Sequence, residues 1–319
     1  MEGYIIINNF DNVAESYFNY GGNAGTKLGI IYNDEYYMMK FPKNTKSMNK
    51  VSVSYTTSPL SEYIGSKIYE CLDFKTHETY LGIYDQKLVV ICKDFKYEQR
   101  KLNNTFETFG DIINQYSYVN FENYVDSGNL DLENCINIIK NSSTFKKVGE
   151  KNALEHFWDM FVVDTLINNN YRNNGNWGVI RNIYDPNIFN ISPIFDNGNS
   201  FNNKLTDEKM LNSMKNINEN VINGTQSAYR VNNKNINCYN FLKTHTYVEL
   251  DNSLLKIVPK INLEKINQII DSIPAVFDGV TIISENQKVF MKASIQARYE
   301  NLLLPALENI KKRSIMNLQ

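Results

Sequence analysis

The hydrophobic pattern of this chain changes period once, and that change restricts it to a fold with a β-rich first part and a mainly helical remainder. Up to about residue 100, aromatic and β-branched residues come in runs of strand length, at 4–7, 28–32, 36–41, 78–84 and 88–92. One helix interrupts them, with Ser58 as N-cap, Pro59 at its first position, and Leu60, Ile64 and Ile68 recurring every four residues. Beyond Leu102 the period is helical, in 112–116, 130–139, 153–167, 261–273 and 289–310. The expected division is a domain at 1–100, a sheet with one helix, and a helical domain at 101–319. The Asn-rich piece 212–237 is expected to be an extended surface excursion.

Composition narrows the partners. A net charge of -2 does not give the basic face that grips nucleic-acid phosphates, so no nucleic-acid partner is expected. No apolar run approaches the roughly 18 residues of a membrane span, and the start of the chain, acidic at Glu2, has no basic flank, so the expected location is cytoplasmic, with export as an effector left open. Cys71, Cys92, Cys135 and Cys238 lie far apart and form no Cys-x-x-Cys pair, which fits reduced thiols better than a zinc site.

Three stretches carry chemistry. Tyr20-Gly21-Gly22-Asn23-Ala24-Gly25-Thr26-Lys27 lies between two strand-like runs, where glycines let backbone amides approach phosphate oxygens; an ordinary hairpin turn has the same composition. Lys40 stands in the apolar run Met38-Met39-Lys40-Phe41, where an ammonium needs an anionic partner unless its head reaches solvent. Glu62, near the start of the helix, is a candidate partner, though an acid there also complements the helix dipole. Asp196 sits between an apolar pair and Gly198, suited to Mg2+ and equally to an Asp-Asn-Gly turn.

In this order these features resemble the HipA-like protein kinases, most closely the cell-translocating kinase A group. The likeness runs from Gly21 to about Pro305 and includes Tyr37-Met38-Met39-Lys40-Phe41-Pro42, Glu78-Thr79-Tyr80-Leu81-Gly82, Phe157-Trp158-Asp159-Met160-Phe161, Asn174-Gly175-Asn176-Trp177-Gly178 and Pro193-Ile194-Phe195-Asp196. The resemblance implies a bilobal α+β fold that binds ATP and Mg2+. Gly21, Gly22, Gly25 and Lys27 would cover the phosphates, Lys40 would contact them with Glu62 as its partner, Val90 to Cys92 and Lys93 would receive adenine, and Asn176 and Asp196 would hold the metal. Thr26 is a self-phosphorylation candidate only by the same analogy.

The family's catalytic loop reads Gly-Asn-x-Asp-Arg-His-x-x-Asn. Here the span 168–176 places Tyr171 at the aspartate and Asn173 at the histidine, while Arg172 and Asn176 are kept. A phenol stays neutral at pH 7 and cannot serve as a carboxylate base. Three functions stay open: a Ser/Thr kinase of reduced or altered activity, a pseudokinase using nucleotide as a structural ligand, and a binding module without nucleotide. The acceptor protein is not legible.

Overall fold

The computed structural model describes residues 5, 7–18, 20, 26–48, 51–120 and 125–316. In chain order the elements are β1 (Asn8–Asn9), β2 (Ala14–Glu15), β3 (Lys27–Tyr32), β4 (Glu35–Lys40), α1 (Ser58–Cys71), β5 (Thr79–Tyr84), β6 (Lys87–Lys93), α2 (Phe95–Lys101), β7 (Asn104–Thr108) and α3 (Phe109–Val119). There follow α4 (Leu132–Asn141), α5 (Ser143–Val148), α6 (Glu150–Ile167), β8 (Gly178–Asn182), β9 (Phe189–Ile191), α7 (Asp207–Met214), α8 (Ile217–Gly224), β10 (Gln226–Val231) and β11 (Lys234–Asn237). The last are α9 (Cys238–Thr244), α10 (Val248–Ile257), α11 (Leu263–Asp271), β12 (Val276–Phe277), β13 (Val280–Thr281), α12 (Glu285–Arg298) and α13 (Leu304–Met316). Two compact units result. One joins Met1–Tyr97 with Phe195–Ile217 and Asn262–Gln296, and the other joins Glu98–Ile194 with Asn218–Ile261 and Ala297–Gln319. None of the helices among the described residues is long and apolar enough to cross a membrane.

The first unit is built on a six-stranded sheet in the order β1-β5-β6-β4-β3-β2. Side chains alternate between its faces. Phe10, Ile30, Tyr37, Met39, Val89 and Ile91 form an apolar cluster on one face. The other carries a row set by register, Lys27 opposite Lys40, Lys40 opposite Val90, and Val90 opposite Leu81. Helix α1 buries Leu60, Ile64 and Ile68 completely. Its N-cap is Thr57 rather than Ser58. Glu62 is therefore its fifth residue and fully buried, past the reach of the helix dipole's N-terminal end and without the solvent exposure a simple dipole role would allow.

In the second unit, thirteen residues of α6 are buried, Asp159, Asp164 and Thr165 among them, as befits a helix enclosed by its own unit. Trp177 anchors the aromatic core: its ring centroid lies 4.5 Å from Phe109 and 5.7 Å from Phe145, and its indole Nε1 donates to the Tyr229 hydroxyl at 3.0 Å. That bond satisfies a buried indole N–H, whereas Nε1 of the equally buried Trp158 has no partner among the described residues. The expected surface excursion at 212–237 is instead ordered structure, α8 followed by the β10–β11 hairpin. Four of its apolar side chains, Val221, Ala228, Tyr229 and Ile236, are buried, which outweighs its Asn-rich composition.

Candidate functional site

Strand β4 ends at Lys40, and α1 brings Glu62 to it. Lys40 Nζ lies 2.9 Å from Glu62 Oε2 and 3.1 Å from Asp196 Oδ1. The other Glu62 oxygen accepts the backbone N–H of Asp196 at 2.9 Å and lies 3.0 Å from His77 Nε2. One carboxylate thus joins a strand lysine, the loop bearing Asp196, and a buried histidine that no local sequence pattern singles out. Burial works against the charge on Lys40, but Glu62 and then Asp196 outweigh it and hold its pKa above the lysine range. Burial likewise opposes ionisation of Glu62, and Lys40 and His77 overcome it, keeping the carboxylate below its usual range. The pair is therefore an ion pair at neutral pH.

Asp196 has a left-handed backbone, φ 62°, which aspartate tolerates better than most residues. Its loop is fixed to α1: Asn197 Nδ2 donates to Ser66 Oγ at 3.1 Å, Ser61 Oγ to the Ser200 carbonyl at 3.1 Å, and Thr57 N–H to the Asn203 carbonyl at 2.9 Å. A Cβ on Gly198 would come within 3.2 Å of Glu62 Oε2, so this position is small for a packing reason.

Lys27 faces Lys40 across β3 and β4. Burial and then the Lys40 charge pull its pKa down, against Asp196 and Glu62. Gly21, Gly22 and Gly25 lie outside the described residues. The segment before them is tethered, since the Tyr20 hydroxyl donates to Asp94 Oδ2 at 2.6 Å. Val90 and Cys92 are interior residues of β6, wholly buried, with β5 and β4 paired on either side. Ligand atoms of Cys92, Glu62 and His77 fall within 4.8 Å of one another. Burial drives the Cys92 thiol far up, outweighing the opposing pull of Lys40, so it stays protonated and is a poor metal ligand.

In the second unit, α6 ends at Asn168, whose left-handed backbone (φ 53°) turns the chain into the loop carrying Tyr171. Arg172 is 2% exposed and doubly bound to Asp164, Nε to Oδ2 at 2.9 Å and Nη2 to Oδ1 at 3.1 Å. Asp164 is thereby committed to positioning the loop. Tyr171 is 59% exposed, and its carbonyl accepts from Asn173 N–H at 2.8 Å and from Asn176 Nδ2 at 3.1 Å. That second bond orients the Asn176 amide and leaves Oδ1 as its free acceptor among the described residues. Trp177 then locks the loop's far end into the core.

No family model matches the chain. It is 33% identical over 289 residues to the serine/threonine-protein kinase CtkA of Helicobacter pylori strain J99, covering 89% of this chain and 82% of that protein. It matches the crystal structure of the Helicobacter pylori proinflammatory kinase CtkA with a TM-score of 0.84 and 30% identity, over 97% of this chain and 99% of the other. The HipA toxin of Shewanella oneidensis, solved with HipB and operator DNA, matches with a TM-score of 0.55 and 11% identity, over 94% of this chain and 68% of that one, a likeness of fold alone. With the α+β architecture described above, these matches establish that the chain belongs to the HipA-like serine/threonine kinase family, close to CtkA.

Proposed function

We propose that the chain binds ATP with Mg2+ and is a protein serine/threonine kinase of weak or altered activity, its catalytic loop degenerate at Tyr171. The observation that carries this reading is the setting of Lys40, fixed by Glu62 and Asp196 and faced by Lys27 in the next strand. Two ammonium groups in one cross-strand row repel, and a polyphosphate between them would convert that repulsion into attraction. In this reading Lys40 meets the α- and β-phosphates, Gly21, Gly22, Gly25 and Lys27 cover them, and Val90 to Lys93 flank adenine.

Mg2+ suits the donors, which are hard oxygens: the Asp196 carboxylate and Asn176 Oδ1 would hold it. Bound there it would neutralise charge on the β- and γ-phosphate oxygens. The chain's own residues keep Lys40 protonated through Glu62, fix the Asp196 loop on α1, and orient the Asn176 amide through the Tyr171 carbonyl.

Tyr171 favours a second reading, a pseudokinase that uses nucleotide to regulate binding of a partner. Loss of a positioned base typically costs about 10²- to 10⁴-fold in rate. Phosphoryl transfer depends mainly on positioning and charge neutralisation, so a slow reaction survives in the first reading and none in the second. Nucleotide binding is tested by calorimetry and thermal unfolding with millimolar Mg·ATP, which stabilises the native state by mass action. Lys40→Ala and Asp196→Asn, the latter chosen because asparagine also tolerates φ 62°, should diminish both signals. Absence of heat and of any shift in the wild type would sink the proposal.

A further inference from the structure

A cavity of about 540 Å³ lies wholly within the helical unit, beside Tyr171, and none of the nucleotide assignments uses it. Its volume is in the range of ligand sites, about 300–1,000 Å³. The start of α3, the turn before α4, the Tyr171 loop and the β10–β11 hairpin form its walls.

The polar side chains in these walls divide into two groups. Asp111 is engaged in a capping box, its Oδ2 accepting from Thr108 N–H at 2.9 Å and Oγ1 at 2.7 Å. Asn174 Nδ2 holds the carbonyls of Ser127 and Asn129, at 3.0 and 2.6 Å, and Asn173 Oδ1 accepts from Gly175 N–H at 2.8 Å. By contrast, the side chains of Asn114, Tyr171, Arg230 and Asn235 have no hydrogen-bond or ion-pair partner among the described residues. The recognition chemistry left over is one guanidinium, two carboxamides and a phenol, with the Ser127 hydroxyl and the buried Asn174 Oδ1, unpartnered among the described residues, beside them. A guanidinium selects carboxylates by its paired donors, and a carboxamide, both donor and acceptor, matches a peptide unit. A single cation does not supply the row of charges that a nucleic-acid backbone needs.

We propose that this cavity docks an acidic peptide segment of the acceptor protein, Arg230 gripping an aspartate or glutamate and Asn114 and Asn235 pairing with the peptide backbone. The acceptor's serine or threonine is thereby presented beside Tyr171. Its role as phosphoacceptor rests on the kinase reading above; the docking chemistry does not.

The test titrates the 319-residue chain into fluorescein-labelled nonapeptides with a central serine flanked by glutamate, alanine or lysine, read by anisotropy. The glutamate peptide should bind about tenfold or more tightly than the alanine peptide, the lysine peptide least, and added salt should narrow the gap. Arg230→Glu, an exposed position, should abolish or invert that order, and Asn114→Trp, which fills the cavity without altering charge, should weaken all binding of the glutamate peptide. Both variants should keep the wild-type Mg·ATP thermal shift. Equal affinity for the three peptides, or a glutamate preference that survives Arg230→Glu, overturns the proposal, as does tight binding that survives Asn114→Trp. A wild type that prefers the glutamate peptide and shows no Mg·ATP shift would retain this inference while removing the nucleotide reading.

Discussion

His77 Nε2 lies 3.0 Å from Glu62 Oε1, and both side chains are shut away from solvent. The same oxygen takes the Asp196 N–H, so His77 holds the carboxylate on which the Lys40 and Asp196 geometry depends. A hydrogen bond to a buried charged group is worth about 1.5–3 kcal/mol, and His77→Ala should lower unfolding stability by roughly that much. His77→Gln, which can still donate, should recover part of the loss. The readout that separates positioning from plain stability is the affinity for Mg·ATP measured well below the melting range: it should fall in the alanine variant and return in the glutamine one.

Arg172 and Asp164 form a buried, two-pronged ion pair across the reversal at Asn168. Removing one member of such a pair costs about 3–5 kcal/mol because the other charge is left buried. Arg172→Ala should therefore be strongly destabilised in urea unfolding. Arg172→Lys should rescue it poorly, since an ammonium cannot reproduce the planar fork.

The pH dependence of stability should report His156. Its Nε2 is buried without a hydrogen-bond partner among the described residues. Burial, and then the charges of Arg172 and Lys256, depress its pKa to about 4 from the ordinary 6.5. Above 6.5 both states are neutral there and the residue adds no pH dependence. Between 6.5 and about 4 only the unfolded chain takes the proton, so stability falls as pH drops, by at most roughly 3 kcal/mol from this group. His156→Gln should flatten the stability profile across that window, measured by urea unfolding at successive pH values.

The parts of the site legible in the sequence are those that break a local pattern or display a regular one. Lys40 stands out because a charge interrupts an apolar strand, and α1 because Leu60, Ile64 and Ile68 mark its buried face. His77 has no such signature: it lies in irregular chain just before β5, and its meaning comes only from the contact with Glu62 of α1. The Arg172–Asp164 pair was illegible for a related reason, since it depends on one left-handed residue, Asn168, folding the loop back along α6. Composition misreads the 212–237 stretch, because it counts the asparagines and does not show that Val221, Ala228, Tyr229 and Ile236 are buried and hold it down. The return of Phe195–Ile217 to the sheet unit left no trace in periodicity, although Asp196 depends on it.

The most direct measurement is transfer of labelled γ-phosphate from ATP, to the chain itself or to a generic protein acceptor, by wild type, Tyr171→Asp and Tyr171→Asp with Asn173→His. If the chain keeps a nucleotide site and lacks only its base, wild type transfers little or nothing and the aspartate variants gain about 10²-fold or more. Asp196→Asn in the restored background should return the rate to the wild-type level. Vigorous transfer by wild type, unchanged by Tyr171→Asp, would contradict the account.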